Sequence, residues 1–152
     1  MKIINPSYEI LTEINNSFLK QIEIAGRTCY KSEDRITDDS AKLFVKKLIE
    51  RGHEAMIECA PSIVVKFICN RGFTHELVRH RICSYAQEST RYCNYSKDKH
   101  NNEITFIRPP FLLVENQKNL KYRIWSDAMK DSEVHYLDLI TNGCSPQEAI
   151  ER

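Results

Sequence analysis

The chain has little of what interrupts a fold and little net charge of either sign. Only 4 of its 152 residues are glycine and 5 are proline, so low-complexity linkers are excluded. No apolar run reaches the length needed to span a bilayer. The opening Met1-Lys2-Ile3-Ile4-Asn5-Pro6 has no signal-peptide core, and a cytoplasmic location is expected. Twenty-two basic side chains face 21 acidic ones, for a net charge of +1; a general nucleic-acid or membrane-surface binder would carry a larger basic excess. No internal repeat is present. Six cysteines (Cys29, Cys59, Cys69, Cys83, Cys93, Cys144) contain no C-x-x-C pair, which argues against a zinc ribbon or a thioredoxin-type motif. In a reducing compartment most of them are expected to be small buried hydrophobes. A zinc site from His53, Cys59, His80 and Cys83 matches no common ligand spacing, so no metal is expected.

What is present fits one domain of ordinary composition over residues 1–152, with 41% apolar and 28% charged residues. Lys2 to Ile4 reads as a short strand ended by Pro6. Asn15 to Cys29 reads as a helix from the spacing of Phe18, Ile22 and Ala25, with Arg27 to Ser32 as a polar loop behind it. A second helix begins near Asp38, with Asp39 and Ser40 as capping candidates, runs through Leu43, Phe44, Leu48 and Ile49, and stops at Gly52. Ser62 to Cys69, rich in β-branched residues, reads as a buried strand. Thr74 is read as the cap of a third helix that contains Glu76, Leu77, Val78 and the basic triplet, so the basic residues are expected at or near a helix end. Asn94 to Asn102 is a polar loop, Ile104 to Ile107 a strand stopped by Pro109-Pro110, and Asn119 to Ile140 a long helix ended by Asn142-Gly143. Ser145 then caps a helix with Pro146 at its first position. That helix has room for only about two turns, and short isolated helices are marginal, so the chain reads as the front portion of something longer.

Against this background one segment stands out. Arg79-His80-Arg81-Ile82-Cys83-Ser84-Tyr85-Ala86-Gln87-Glu88-Ser89-Thr90-Arg91-Tyr92 places three arginines, a histidine and two serines in fourteen residues. Guanidinium groups bind phosphate oxygens in pairs, and serine hydroxyls add directed hydrogen bonds to the same oxygens. By composition alone, a phosphorylated aromatic ligand and a solvated basic helix are both open.

The arrangement Arg79-His80-Arg81, seven residues, then Ser89 resembles the RHR-x7-S signature of the flavin-dependent thymidylate synthases. The lead-in from Arg71 to Val78 and the continuation to Tyr92 are also similar to that family. So are Arg27-Thr28-Cys29-Tyr30, Gly52-His53-Glu54 with Glu58, and Asn142-Gly143 followed by Ser145-Pro146-Gln147. The resemblance implies an α+β fold with a largely antiparallel sheet flanked by helices. It implies methylation of dUMP to dTMP, with methylenetetrahydrofolate as carbon donor, FAD as hydride carrier and NADPH as reductant. It also implies a homotetramer with shared sites. Under it, Arg79, His80 and Arg81 bind FAD, with Arg79 also reaching dUMP, while Gln87, Ser89 and Arg91 hold the nucleotide phosphate and sugar. Alternation at 87, 89 and 91 suits an extended loop. Glu76 contacts substrate or pairs with an arginine one turn away. His53 falls close to the flavin ring, where a neutral imidazole would hydrogen-bond the flavin or gate folate entry; otherwise it is a helix-end histidine touching the last carbonyls. Glu58 accepts hydrogen bonds from flavin or from nearby backbone, and Cys29 sits at a flavin-contact position that the family often fills with serine. No cysteine of the family attacks the pyrimidine, so Cys83 is not expected to be a nucleophile, despite cationic neighbours that lower a thiol pKa. The family's activating arginine lies beyond the Ser-Pro segment, and its A-R pair falls around Glu148-Ala149-Ile150-Glu151-Arg152, where Arg152 is the residue available to match. Two other functions remain beside this one: a non-catalytic FAD- or nucleotide-binding remnant, and an RNA-binding protein using Arg79, Arg81, Tyr85, Arg91 and Tyr92. The near-neutral charge argues against the latter.

Overall fold

A computed structural model describes residues 1–114 and 118–151. The helices and strands, in chain order, are β1 (Lys2–Ile4), β2 (Ser7–Ile10), α1 (Asn16–Cys29), α2 (Ser40–Glu50), β3 (Val65–Ile68), α3 (Arg71–Leu77), β4 (Thr105–Ile107), α4 (Leu120–Thr141) and α5 (Pro146–Ile150). Among the described residues the strands form two pairs: β1 with β4, parallel, and β2 with β3, antiparallel. The mixed α+β class is therefore present, but with one pair parallel and one antiparallel among the described residues the largely antiparallel sheet is not confirmed. The chain forms two compact units, one of Glu9–Lys66 and one of Met1–Tyr8 with Phe67–Arg152.

The Glu9–Lys66 unit is built on two amphipathic helices. Asn15 caps α1 by accepting the Ser17 N–H at 2.9 Å. Phe18, Ile22 and Gly26 recur every four residues on the buried stripe of α1, and Ala41, Val45 and Leu48 form that of α2. Ile22, Val45 and Leu48 pack into one cluster with Leu19, Phe44, Met56, Ile57 and Ala60 around it. Burying each such aliphatic side chain contributes about 1.5–3 kcal/mol relative to exposure. Leu43 and Ile49, through which the helix was also expected to run, are more than half exposed, since the buried stripe passes through 41, 45 and 48. Gly26 lets the helices meet: a Cβ there would lie 2.8 Å from the Phe44 ring. Helix α1 ends at Cys29 as expected, so of the segment also read as polar loop Arg27 to Cys29 are helical; Arg27 is tied to Glu23 one turn earlier. Asp39 occupies the cap position of α2 without making a cap bond, and Ser40 Oγ instead accepts the Thr37 N–H at 2.9 Å.

In the other unit, β1 and β4 run in register from Lys2↔Thr105 to Ile4↔Ile107. Glu133 on α4 fastens this pair: its carboxylate accepts the Ile104 N–H at 2.7 Å and meets the Met1 ammonium at 3.0 Å. That ammonium also meets Glu103 at 3.1 Å, and its pKa is raised, first by the Glu133 hydrogen bond. The core includes Leu112 after Pro109-Pro110, Tyr122 and Tyr136 on α4, and Ala149 on α5. Ser145 and Glu148 close a full capping box, with Pro146 in the first turn. The Ser145 backbone N–H holds the Glu148 carboxyl below its ordinary pKa, and the hydroxyl adds to this.

Burial was the least legible property. Strand β3 covers only Val65–Ile68 of the expected Ser62 to Cys69, and Ile63, Val64 and Phe67 are about half exposed. Branched side chains report fitness for a pleated backbone, whereas burial depends on what covers it. The cysteines likewise are not core residues: Cys29, Cys59 and Cys83 are exposed, and Cys69, Cys93 and Cys144 partly so.

Candidate nucleotide and flavin site

The segment from Arg71 to Tyr95 is shaped by one short helix and a series of turns. Asn70, rather than Thr74, caps α3, accepting the Phe73 N–H at 2.9 Å. Thr74 Oγ1 turns back on the Arg71 carbonyl at 3.1 Å, as threonines inside helices do. The helix ends at Leu77, before the basic triplet. The Arg79 N–H closes on the Glu76 carbonyl and the His80 N–H on the Leu77 carbonyl, both at 3.1 Å, so the triplet occupies tight turns. Tyr85 Oη donates to the His80 carbonyl at 2.8 Å and pins the chain after the triplet. Its phenol pKa is pushed up by lost hydration and by the neighbouring Cys83 thiol.

Residues 84–89 have no regular backbone pattern, and a turn starts at Thr90. The Ser89 carbonyl accepts the Cys93 N–H at 2.9 Å and the Tyr92 N–H at 3.3 Å. Gln87 and Ser89 lie in this irregular stretch, whereas Arg91 stands in the turn after it, so the three do not share one continuous extended segment. Arg91 Nε donates to Gln147 on α5 at 2.9 Å, and its guanidinium carbon lies 5.9 Å from the Tyr92 ring centroid.

Among the described residues, the side chains of Glu76, Arg79, His80, Arg81, Gln87 and Ser89 make no hydrogen bond or ion pair within the chain. All but the partly buried Ser89 are exposed. Glu76 in particular does not pair with an arginine one turn away. Two guanidinium groups, an imidazole, an amide and a hydroxyl are thus uncommitted within a few residues of one another in the chain. This donor set fits pyrophosphate and phosphate oxygens, which take several such donors together.

The other expected residues belong to the Glu9–Lys66 unit. Cys29 ends α1, its thiol 4.0 Å from the Met56 sulfur. Gly52, at φ +67°, makes the left-handed turn that closes α2: its N–H reaches the Ile49 carbonyl at 3.0 Å and the His53 N–H reaches the Leu48 carbonyl at 2.9 Å. His53 then leads into a 3-10 turn, Glu54–Cys59, that carries Glu58. His53 and Glu58 are exposed, and their side chains make no bond within the chain among the described residues. The contact of His53 with the last helical carbonyls is made by its backbone. Arg152 lies outside the described residues.

Sequence reasoning missed two polar networks. In the Glu9–Lys66 unit, Glu23 is fully buried; its carboxylate accepts Arg27 Nε at 2.7 Å and the Ser40 hydroxyl at 2.8 Å. Arg27 in turn lies over the Phe44 ring at 4.7 Å. The four-residue spacing of Glu23 and Arg27 was available as a signal. In the other unit, Glu88 is held twice. Arg71 Nη2 donates to its carbonyl at 2.8 Å, and Tyr95 Oη donates to its carboxylate. The Tyr95 phenol is driven well above its usual pKa by burial and by that carboxylate. Separations of seventeen and seven residues offered no periodic clue.

A donor set of this kind is chemically suited to phosphate oxygens. The model of the thymidylate synthase complementing protein family matches residues 11–150. The flavin-dependent thymidylate synthase of Pyrococcus abyssi is 31% identical over 119 residues, covering 78% of this chain and 47% of that protein. Its counterpart in Pyrococcus furiosus is 31% identical over 124 residues, covering 82% and 49%, and that of Corynebacterium aurimucosum 33% over 121 residues, covering 78% and 45%. No solved structure matches. The chain belongs to the thymidylate synthase complementing protein family and spans about half the length of the curated relatives it matches.

Proposed function

We propose that this chain carries the phosphate-binding part of a flavin-dependent thymidylate synthase that methylates dUMP to dTMP in the cytoplasm. The observation that supports this most is the run of uncommitted donors from Arg79 to Ser89 in a chain of that family. Arg79, His80 and Arg81 hold the FAD pyrophosphate, and Arg79 also reaches the nucleotide. Gln87, Ser89 and Arg91 take the dUMP phosphate and sugar, and Glu76 contacts substrate. Cys29, His53 and Glu58 approach the flavin in the assembled protein, a homotetramer whose sites are shared between subunits. When bound, FAD supplies the hydride, with NADPH as its reductant and methylenetetrahydrofolate as carbon donor. The protein's own part is to bind, orient and exclude water, and no thiol attack on the pyrimidine is needed.

The relatives are about twice as long as the matched segment, so binding and turnover are measured separately. Purified chain should take up FAD and show a flavin band near ~450 nm, and Arg81→Ala should abolish uptake while the circular dichroism spectrum is retained. Tritium release from labelled dUMP, with NADPH and methylenetetrahydrofolate present, then reports turnover. A colourless protein that takes up no added FAD, or an Arg81→Ala variant that keeps its flavin, refutes the assignment.

A further inference from the structure

We propose that Arg71 and Tyr95 form a bracket that fixes Glu88 and thereby positions the flanking Gln87 and Ser89 side chains for the nucleotide. The inference rests on the reading of residues 87–91 as the dUMP site.

Glu88 is gripped at both ends. Its main-chain carbonyl accepts Arg71 Nη2 at 2.8 Å, and its carboxylate accepts the Tyr95 hydroxyl. Neither grip is a surface ion pair: the arginine takes the backbone and the phenol takes the charge. Both anchors are themselves held. Arg71 is the first residue of α3, next to the capping Asn70. The Tyr95 N–H donates to Tyr136 Oη at 3.3 Å, and the Tyr95 ring packs against Tyr136 at 5.9 Å and edge-on against His100 at 5.2 Å. Tyr136 has no exposed surface and belongs to α4. Residues 84–89 have no helix or ladder of their own to order them, so this strap between α3 and the α4 core is what restrains the backbone at Glu88. The Tyr95 phenol, whose ordinary pKa of 10.0 is raised further by burial, is protonated and thus a donor at neutral pH. Residues 87 and 89 are one peptide away on either side of the strapped residue, so an ordered Glu88 lowers the backbone freedom that ligand binding would otherwise have to restrict. Tyr95 and Arg71 are thus positioning residues, acting through Glu88 rather than on the ligand.

The test compares wild type with Tyr95→Phe, which keeps the ring stack and loses only the hydroxyl. It reads amide hydrogen exchange over residues 84–89 and equilibrium titrations with dUMP and with FAD on the 152-residue chain. A hydrogen bond to a charged group sets the scale: the dUMP dissociation constant is expected to rise roughly 10-fold, with faster exchange at 84–89, FAD uptake retained and the circular dichroism spectrum unchanged. Glu88→Gln, which keeps an acceptor for Tyr95, should fall between the two. Unchanged exchange in Tyr95→Phe overturns the bracket. Faster exchange with unchanged dUMP affinity overturns its positioning role. An equal loss of both ligands with an altered circular dichroism spectrum assigns Tyr95 to folding and also overturns it. A wild-type chain that binds no dUMP overturns the nucleotide reading, and is distinguished from failure of the bracket because the exchange difference between wild type and Tyr95→Phe is still measured.

Discussion

Removing the Glu23 carboxylate should cost the Glu9–Lys66 unit a large part of its stability. Glu23 has no exposed side-chain surface and Arg27 only 13%. Their contact at 2.7 Å has a gross attraction of about 6 kcal/mol at an effective dielectric constant near 20, most of it offset by the desolvation of both ions. Glu23→Ala forfeits the attraction and leaves Arg27 without its acceptor, while the Ser40 hydroxyl still has the Thr37 carbonyl at 3.1 Å. Breaking a buried pair from one side costs about 3–5 kcal/mol, and the partial exposure of Arg27 argues for the lower end, about 3 kcal/mol. Against a typical total of about 5–15 kcal/mol, that is a marginal unit.

Urea unfolding followed by far-ultraviolet circular dichroism is the assay. Trp125 lies in the other unit, so its fluorescence provides an internal comparison. With a slope of about 1–2 kcal/mol per molar, the midpoint should fall by about 2 M. Arg27→Met alone should be as damaging, because it strands the carboxylate. The double change Glu23→Met with Arg27→Met should be nearly neutral, since apolar residues of similar volume commonly replace buried pairs without loss. A loss below about 1 kcal/mol for Glu23→Ala, or a double variant that costs the sum of the singles, refutes the reasoning.

Two other perturbations follow from the same geometry. Gly26→Ala places a Cβ 2.8 Å from the Phe44 ring, and overpacking of about 1–3 kcal/mol should outweigh the gain of about 1 kcal/mol in helix propensity. In a Phe44→Leu background the same change should become stabilising, and calorimetry that finds the same sign in both backgrounds removes the steric explanation. Tyr95 bears on alkaline stability: its folded pKa lies above the ordinary 10.0, so its contribution is intact below that pH and is lost as pH rises past it, when the unfolded chain ionises first. Urea midpoints measured on either side of that pH should fall more steeply for wild type than for Tyr95→Phe, and parallel slopes would exclude the effect.

Local chemistry was legible where one residue's preference decides the outcome. Asn15 and Ser145 cap the helices they were expected to begin, Pro146 sits in a first turn, and Gly52 and Gly143 take the positive φ that ends α2 and α4. Legibility failed where a partner distant in sequence decides. Exposure of Phe67 follows from what covers β3, Glu88 is ordered by residues seven and seventeen positions away, and the burial of Glu23 depends on Ser40 seventeen positions on as well as on Arg27.

The end of α3 joins the two cases. Nothing in Leu77-Val78-Arg79 signals a stop, and neither glycine nor proline is present there, yet the helix ends and the chain turns. Had it continued, Arg79 and Arg81 would be about 200° apart around the axis and could not face one ligand. On turns they are released from that constraint, and their side chains are exposed and make no hydrogen bond or ion pair among the described residues. Two arginines at i and i+2 can therefore serve one phosphorylated ligand only because the helix stops before them. The alternative of a solvated basic helix fails at the same point, since the triplet is not helical.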